Sequence, residues 1–391
     1  MPTRRLFLKT GLLMGCSVAA HPLLSTATFA AAPGENRLVV IILRGAMDGL
    51  DAFQPYGDRD LAGLRRTLSL GPDHGATDLD GFFALHPGLV DLLPLWRAGQ
   101  MGFAPAVSTP YRDKRSHFDG QDMLEAGTGT DVEAQARRDG WLNRLLQAMP
   151  GQDSETAYSV GLSQMRILQG PAPAASWTPR ANMDLSPQGQ LLLERMHHDD
   201  PVFREASAQA IRIVAGLPPE LRVGEEVEEH LELARFAANR LNGQTRIASF
   251  ALAGWDTHAG QAGSMRRVLG RLAQTILTLR DDLGPNWDRT TVLAMTEFGR
   301  TAHENGSAGT DHGTGGAMLV AGGAVRGGRA LGDWPGLGAG DLYDGRDLMP
   351  LRDIRAYAAW AIHAKFGIPK STLEGAIFPG LDMGPDPRML A

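Results

Sequence analysis

The run RLVVIIL at residues 37–43 constrains the fold more than any other stretch. Six consecutive apolar residues, four of them β-branched, leave no polar face, so a strand here must be covered on both sides. Such coverage calls for helices above and below a mostly parallel sheet. The pattern recurs in MGFAPAV (101–107), RIASFAL (246–252), TTVLAMT (290–296) and AMLVAGG (317–323). Between these lie helical stretches at 86–99, 116–127, 137–149, 227–241, 262–283 and 351–367. The alternation predicts an α/β fold, a three-layer α/β/α arrangement with a mostly parallel central sheet. Residues 150–230 are less regular, with helices expected near 187–198 and 201–215. They are taken as a helical insertion within one domain spanning 31–391. With 43% apolar and 21% charged residues, the 391-residue chain has enough apolar material for a sizeable core.

The N-terminus carries a different signal. TRRLFLKT (3–10) places Arg4 and Arg5 before an apolar stretch, and STATFAAA (25–32) follows with small residues suited to cleavage near Ala30. The order resembles a twin-arginine signal peptide over residues 1–30, which implies the translocation machinery as partner and a periplasmic or secreted destination. The segment is too short for a stable membrane span. Cys16 is the single cysteine, and LMGC (13–16) also resembles a lipoprotein box, so lipid anchoring at Cys16 is the lesser alternative. Removing Arg4, Arg5 and Lys9 with the signal takes the net charge from −6 to about −9, which argues against nucleic-acid binding.

In open α/β sheets, ligands sit beyond the carboxyl ends of the strands. Polar clusters fall at that place. Asp48 follows the first run; it is a candidate ligand or a turn residue before Gly49. Asp256 and His258, two apart in GWDTH, face the same way on an extended segment and offer an oxygen and an imidazole to a metal. Asp311 and His312, set among glycines in SAGTDHGTGG, offer a second pair. Glu297 is a ligand, a partner of a ligand, or a salt-bridge partner of Arg300. Ser116 is expected at a helix N-terminus, where unpaired N–H groups and the dipole favour an anion or an attacking alkoxide; plain capping is the alternative. His117 stands beside it as a positioning group or base. Arg44, Arg115, Arg112 and Lys114 are candidates to neutralise an anionic substrate.

The motifs LVVIILRGAMDGLD, HPGLVDLLPLWRAGQM, RSHFDGQDMLEAG, GWDTHAGQ, TEFGRTAHENGSAGTDHGTGG and LYDGRDLMPLRDIRA occur in one order over about residues 37–380. Together they resemble domain-of-unknown-function family 1501, bacterial proteins that carry twin-arginine signals. That family is in turn similar to the alkaline phosphatase and sulfatase superfamily. The resemblance implies an alkaline-phosphatase-like fold, one or two metal ions and a hydroxyl nucleophile. It puts Asp48, Asp256, His258, Glu297, Asp311 and His312 around metal, Ser116 and His117 at the chemistry, and Arg44, Arg115 and Arg300 toward substrate. Phe298 stands where the superfamily has a second-metal histidine, and no Cys-x-Pro-x-Arg follows the signal, so formylglycine chemistry is unsupported. The expectation is an exported metal-dependent hydrolase of phosphate or sulfate esters, using a divalent zinc, manganese, calcium or magnesium ion on an anionic ester substrate. The alternatives are a non-catalytic exported binding protein on the same fold and an envelope-modifying phosphoryl-type transferase.

Overall fold

The structure, a computed structural model, describes residues 34–112, 114–130, 138–149, 157–160, 165–177 and 228–391. The signal segment, Cys16 and the helices expected at 187–198 and 201–215 lie outside the described residues. No described helix is long and apolar enough to cross a membrane.

The strands are β1 (Arg37–Arg44), β2 (Met101–Ser108), β3 (Ala157–Val160), β4 (Ala175–Trp177), β5 (Ile247–Ala253), β6 (Thr290–Met295), β7 (Gly316–Ala321) and β8 (Arg352–Asp353). They form one sheet in the order β8-β2-β7-β6-β1-β5-β3-β4. Pairing is parallel throughout except at β7, which runs antiparallel to both β2 and β6. β1 is central, in register with β5 at Leu43↔Leu252 and with β6 at Ile42↔Met295.

The alternation of side chains along β1 feeds two separate cores. Val39, Ile41 and Leu43 pack with α3 (Glu229–Leu241) and α4 (Gln261–Leu283). Leu38, Val40 and Ile42 pack on the other face, against α1 (His117–Ala126), α2 (Trp141–Ala148) and α5 (Ile354–Phe366). The three-layer α/β/α arrangement is the one the apolar runs require. One expected helix differs: 86–99 is a 3-10 stretch, Pro87–Leu92, followed by a short α-turn, Leu93–Arg97. Pro87 and Pro94 lack the N–H groups an uninterrupted α-helix would use, so each sits at the start of its own segment.

Candidate functional site

The loops after β1, β2, β5 and β6 all leave the carboxyl edge of the sheet. Because β7 is antiparallel, the residues preceding it reach the same edge, which brings Asp311 and His312 to the others. Glycine makes the approach close: a β-carbon on Gly309 would collide with the backbone of His258, and one on Gly313 with the backbone of Arg300.

Three imidazoles meet there on one carboxylate oxygen. Asp256 Oδ1 lies 3.0 Å from His258 Nε2, 3.2 Å from His312 Nε2 and 3.4 Å from His117 Nε2. Ligand atoms of His117, Asp256 and His312 all fall within 4.8 Å of one another. Each ring's Nδ1 is turned to an acceptor. His117 Nδ1 is 2.8 Å from Glu297 Oε1, His258 Nδ1 is 3.2 Å from Asp311 Oδ1, and His312 Nδ1 is 2.7 Å from the Arg115 carbonyl. A carbonyl or carboxylate can only accept, so each Nδ1 is placed to donate, and each Nε2 is left to face Asp256 Oδ1, as a donor when the ring is charged or as a ligand atom when it is neutral. His258 Nε2 and His312 Nε2 are 2.9 Å apart, a spacing that fits one shared proton or a bound cation but not two facing N–H groups. His117 Nε2 is buried without a hydrogen-bond partner among the described residues.

The surroundings set the charges. Burial works against ionising Asp256, but the Arg300 Nη2 hydrogen bond at 2.6 Å, the Arg300 charge and the nearby His258 and His117 outweigh it and hold the acid at about 2. Burial likewise opposes the charge of Glu297, which donor hydrogen bonds from His117, Gln121 and Gly45 overcome, holding it below the ordinary range. The Glu297 hydrogen bond raises His117 in return. Burial lowers His312. Phe298, itself buried, backs the imidazole of His117 with ring centroids 5.1 Å apart.

Several expected site residues sit elsewhere. Asp48 is not joined to the imidazoles. It caps the turn Gly49–Ala52 and is engaged by Arg65 Nη1 at 2.7 Å and Gln261 Nε2 at 2.7 Å, fully out of solvent. Arg300 is sealed beneath the loops, not turned to substrate: it donates to the carbonyls of Gly45, Ala46, Trp255 and Thr310 as well as to Asp256. It pairs with Asp256, so the Glu297–Arg300 salt bridge considered from sequence is replaced by a Glu297–His117 one. Arg44 pairs with the buried Glu125 at 2.6 Å. Ser116 is the N-cap of the ten-residue α1, accepting from Asp119 N at 3.4 Å, while its own N–H donates to the Tyr111 hydroxyl. Arg112 and Lys114 line a cleft of about 450 Å³ with Tyr111, Asp119, Asp122 and Arg166.

Sequence reasoning missed three things. His117, expected as a positioning group or base beside Ser116, has its Nε2 3.4 Å from the carboxylate oxygen that His258 and His312 share. Gln261 was not singled out, although its amide accepts from the hydroxyls of Thr257 and Thr310 and donates to Asp48 and Asp51. It therefore ties the loop of Asp256 and His258 to the loop of Asp311 and His312. Asp347, inside the LYDGRD motif, is wholly buried against Arg115, Arg346 and Thr314. The signal available for Gln261 was its place four residues after Thr257, at the start of a helix.

The fold and this edge define an α/β/α protein with a His₃Asp cluster where the strands end. Residues 97–356 match the family described as Protein of unknown function (DUF1501), and the chain belongs to that family. No curated protein matches it. Solved structures similar to it include the lipooligosaccharide phosphoethanolamine transferase A of Neisseria meningitidis, an integral membrane protein, at 11% identity and a TM-score of 0.40. That match covers 93% of this chain and 62% of the transferase, so the chain spans less than two thirds of it. A protein in the alkaline phosphatase superfamily from Vibrio parahaemolyticus is similar at 11% identity, over 87% of this chain and 69% of that one, with a TM-score of 0.39. The lipoteichoic acid synthase of Listeria monocytogenes is similar at 7% identity, over 95% and 82%, with a TM-score of 0.39.

Proposed function

We propose that this chain is an exported metal-dependent hydrolase of phosphate or sulfate esters. The observation that carries the reading is the convergence of three imidazole Nε2 atoms on Asp256 Oδ1, each ring held from behind at Nδ1. Acceptors behind each imidazole fix the tautomer and raise basicity, the usual arrangement around a bound metal. His117, His258 and His312 would hold the ion by Nε2 and Asp256 by Oδ1. Three nitrogens and one oxygen suit zinc better than the oxygen-seeking manganese, calcium and magnesium. A divalent ion there supplies a Lewis acid for a phosphoryl or sulfuryl oxygen. Asp48, paired with Arg65, is not among the groups that converge here.

The chain's own groups do the rest. Arg300 fixes Asp256 in place. Arg115, part-exposed beside His312, attracts the anionic group. Ser116 at the N-terminus of α1 is the candidate nucleophile, where backbone N–H groups and the dipole stabilise negative charge. His117 Nδ1 is engaged by Glu297 and Asp48 is paired with Arg65.

The test is metal analysis of protein purified without chelator, followed by a panel of phosphate and sulfate esters. His117→Ala, His258→Ala and His312→Ala should each weaken metal binding by ~10-fold or more, on the scale of losing even a supporting residue. A wild type that carries no metal and takes none up would overturn the reading. Metal without turnover on any ester would leave the binding-protein alternative.

A further inference from the structure

Arg115 and Arg346 share one carboxylate. Asp347 Oδ2 takes Arg115 Nη2 at 3.3 Å and the Thr314 hydroxyl at 2.8 Å, and Asp347 Oδ1 takes Arg346 Nη1 at 2.9 Å. Asp347 is 0% exposed, while the two guanidinium side chains are 32% and 36% exposed. One buried negative charge therefore faces two positive ones, and the pair carries a surplus of one positive charge at the protein surface. Arg115 Nε is buried and has no hydrogen-bond partner among the described residues. That donor is left unsatisfied at a cost in free energy, and the part-exposed end of the same guanidinium remains open to an anion.

The pair stands at the cluster. The Arg115 carbonyl holds His312 Nδ1, so its side chain is rooted one residue from the imidazoles. Arg115 has φ +46°, a conformation that costs a non-glycine residue energy and persists only when its surroundings enforce it. Here His312 on its backbone and Asp347 on its side chain do so. Arg346 acts on the other flank. Its carbonyl accepts from Ala302 N at 3.0 Å, and the neighbouring Thr301 N donates to the carbonyl of Asp311 at 2.9 Å, so Arg346 is anchored beside the segment that carries Asp311 and His312. Arg112, 5.9 Å over the ring of Tyr343 in the same turn, adds a further positive charge on that side.

We propose that Arg115 and Arg346, fixed by Asp347, form a clamp for a tetrahedral oxyanion, a phosphate- or sulfate-type group, on the rim of the His₃Asp cluster. Forked guanidinium donors match two oxygens of such a group, where a lysine would offer only a point charge. The assignment deepens the ester-hydrolase reading, and it adds Arg346 and Asp347 to the binding residues.

The experiment measures inorganic phosphate and sulfate binding by calorimetry, at constant ionic strength with chloride as control, on protein with and without added zinc. Wild type should bind phosphate or sulfate above the chloride background. Arg346→Gln should weaken that binding roughly 10-fold, the scale of losing a charge-assisted hydrogen bond. Arg115→Gln should weaken it at least as much. Equal oxyanion affinity in wild type and both variants, or none above chloride in any state, would overturn the clamp. Zinc uptake together with equal oxyanion affinity sinks the clamp alone. Oxyanion binding that falls in Arg346→Gln in a protein that takes up no zinc supports the clamp and sinks the metal-dependent reading instead.

Discussion

Replacing Glu297 with Gln separates the proposed metal-site role of this residue from its structural one. Glu297 is fully buried, and its Oε1 receives three donors: His117 Nδ1 at 2.8 Å, Gly45 N at 3.0 Å and Gln121 Nε2 at 3.1 Å. Its Oε2 lies 3.0 Å from Thr296 Oγ1, a hydroxyl that can donate to the Leu43 carbonyl at 2.9 Å. A glutamine keeps the volume, leaves its oxygen with the three donors and turns its NH₂ to the Thr296 oxygen. One of its two N–H groups meets Thr296 and the other gains no acceptor from the contacts Glu297 makes, so the metal-free protein should lose about 1–3 kcal/mol, offset in part by no longer burying a charge. What disappears is the carboxylate that makes His117 Nε2 a strong donor. Metal affinity should fall between about 10- and 100-fold, roughly 1.4 to 2.7 kcal/mol. The pH dependence has a definite sign. In the wild type Glu297 raises His117, so protons compete for Nε2 below that raised range. Without the carboxylate, competition begins at lower pH. The affinity gap between wild type and variant should therefore be widest above the His117 range and narrow as pH falls through it. Zinc titration against a competing chelator at several pH values, with thermal unfolding of the metal-free proteins, makes the check. An unchanged zinc affinity, or a gap that widens on acidification, would refute the reasoning.

Other outcomes follow from the same geometry. Ser116→Ala should lose about 1 kcal/mol of stability as a helix cap; if Ser116 is the nucleophile, ester turnover should also nearly vanish in folded, metal-loaded protein, whereas a retained rate marks it as a cap alone. Burial lowers His86 from 6.5 to about 4, so in the folded state it stays neutral, and its contribution to stability is present above pH 6.5 and lost as pH falls toward 4. Chemical denaturation of wild type and His86→Asn should accordingly show a difference that moves in favour of the wild type by about 3 kcal/mol between pH 4 and 7. A pH-independent difference would contradict that placement of His86. Arg4→Lys together with Arg5→Lys should block export in a cell-fractionation assay, and an N-terminus near Ala31 is expected on exported protein; efficient export of the double variant would remove the twin-arginine reading.

Sequence alone determined the layering, because six apolar residues without alternation at 38–43 admit no other stable environment than cover on both faces. It also put Asp256, His258 and His312 on loops flanking such strands, since Gly, Asp and His in GWDTHAGQ and SAGTDHGTGG break every regular period. Which of these loops meet was decided by the tertiary structure. The antiparallel β7 turns the start of a strand, not its end, to the ligand edge, and no local pattern distinguishes a parallel from an antiparallel buried strand. Partner choice among charges was equally illegible. Arg300 is three residues from Glu297 but reaches Asp256, and Asp48 follows β1 as a metal ligand should yet is claimed by Arg65 and Gln261. Each of those pairings is long-range and is fixed by which buried charge lies within about 3 Å of which, a quantity that exists only once the chain has folded.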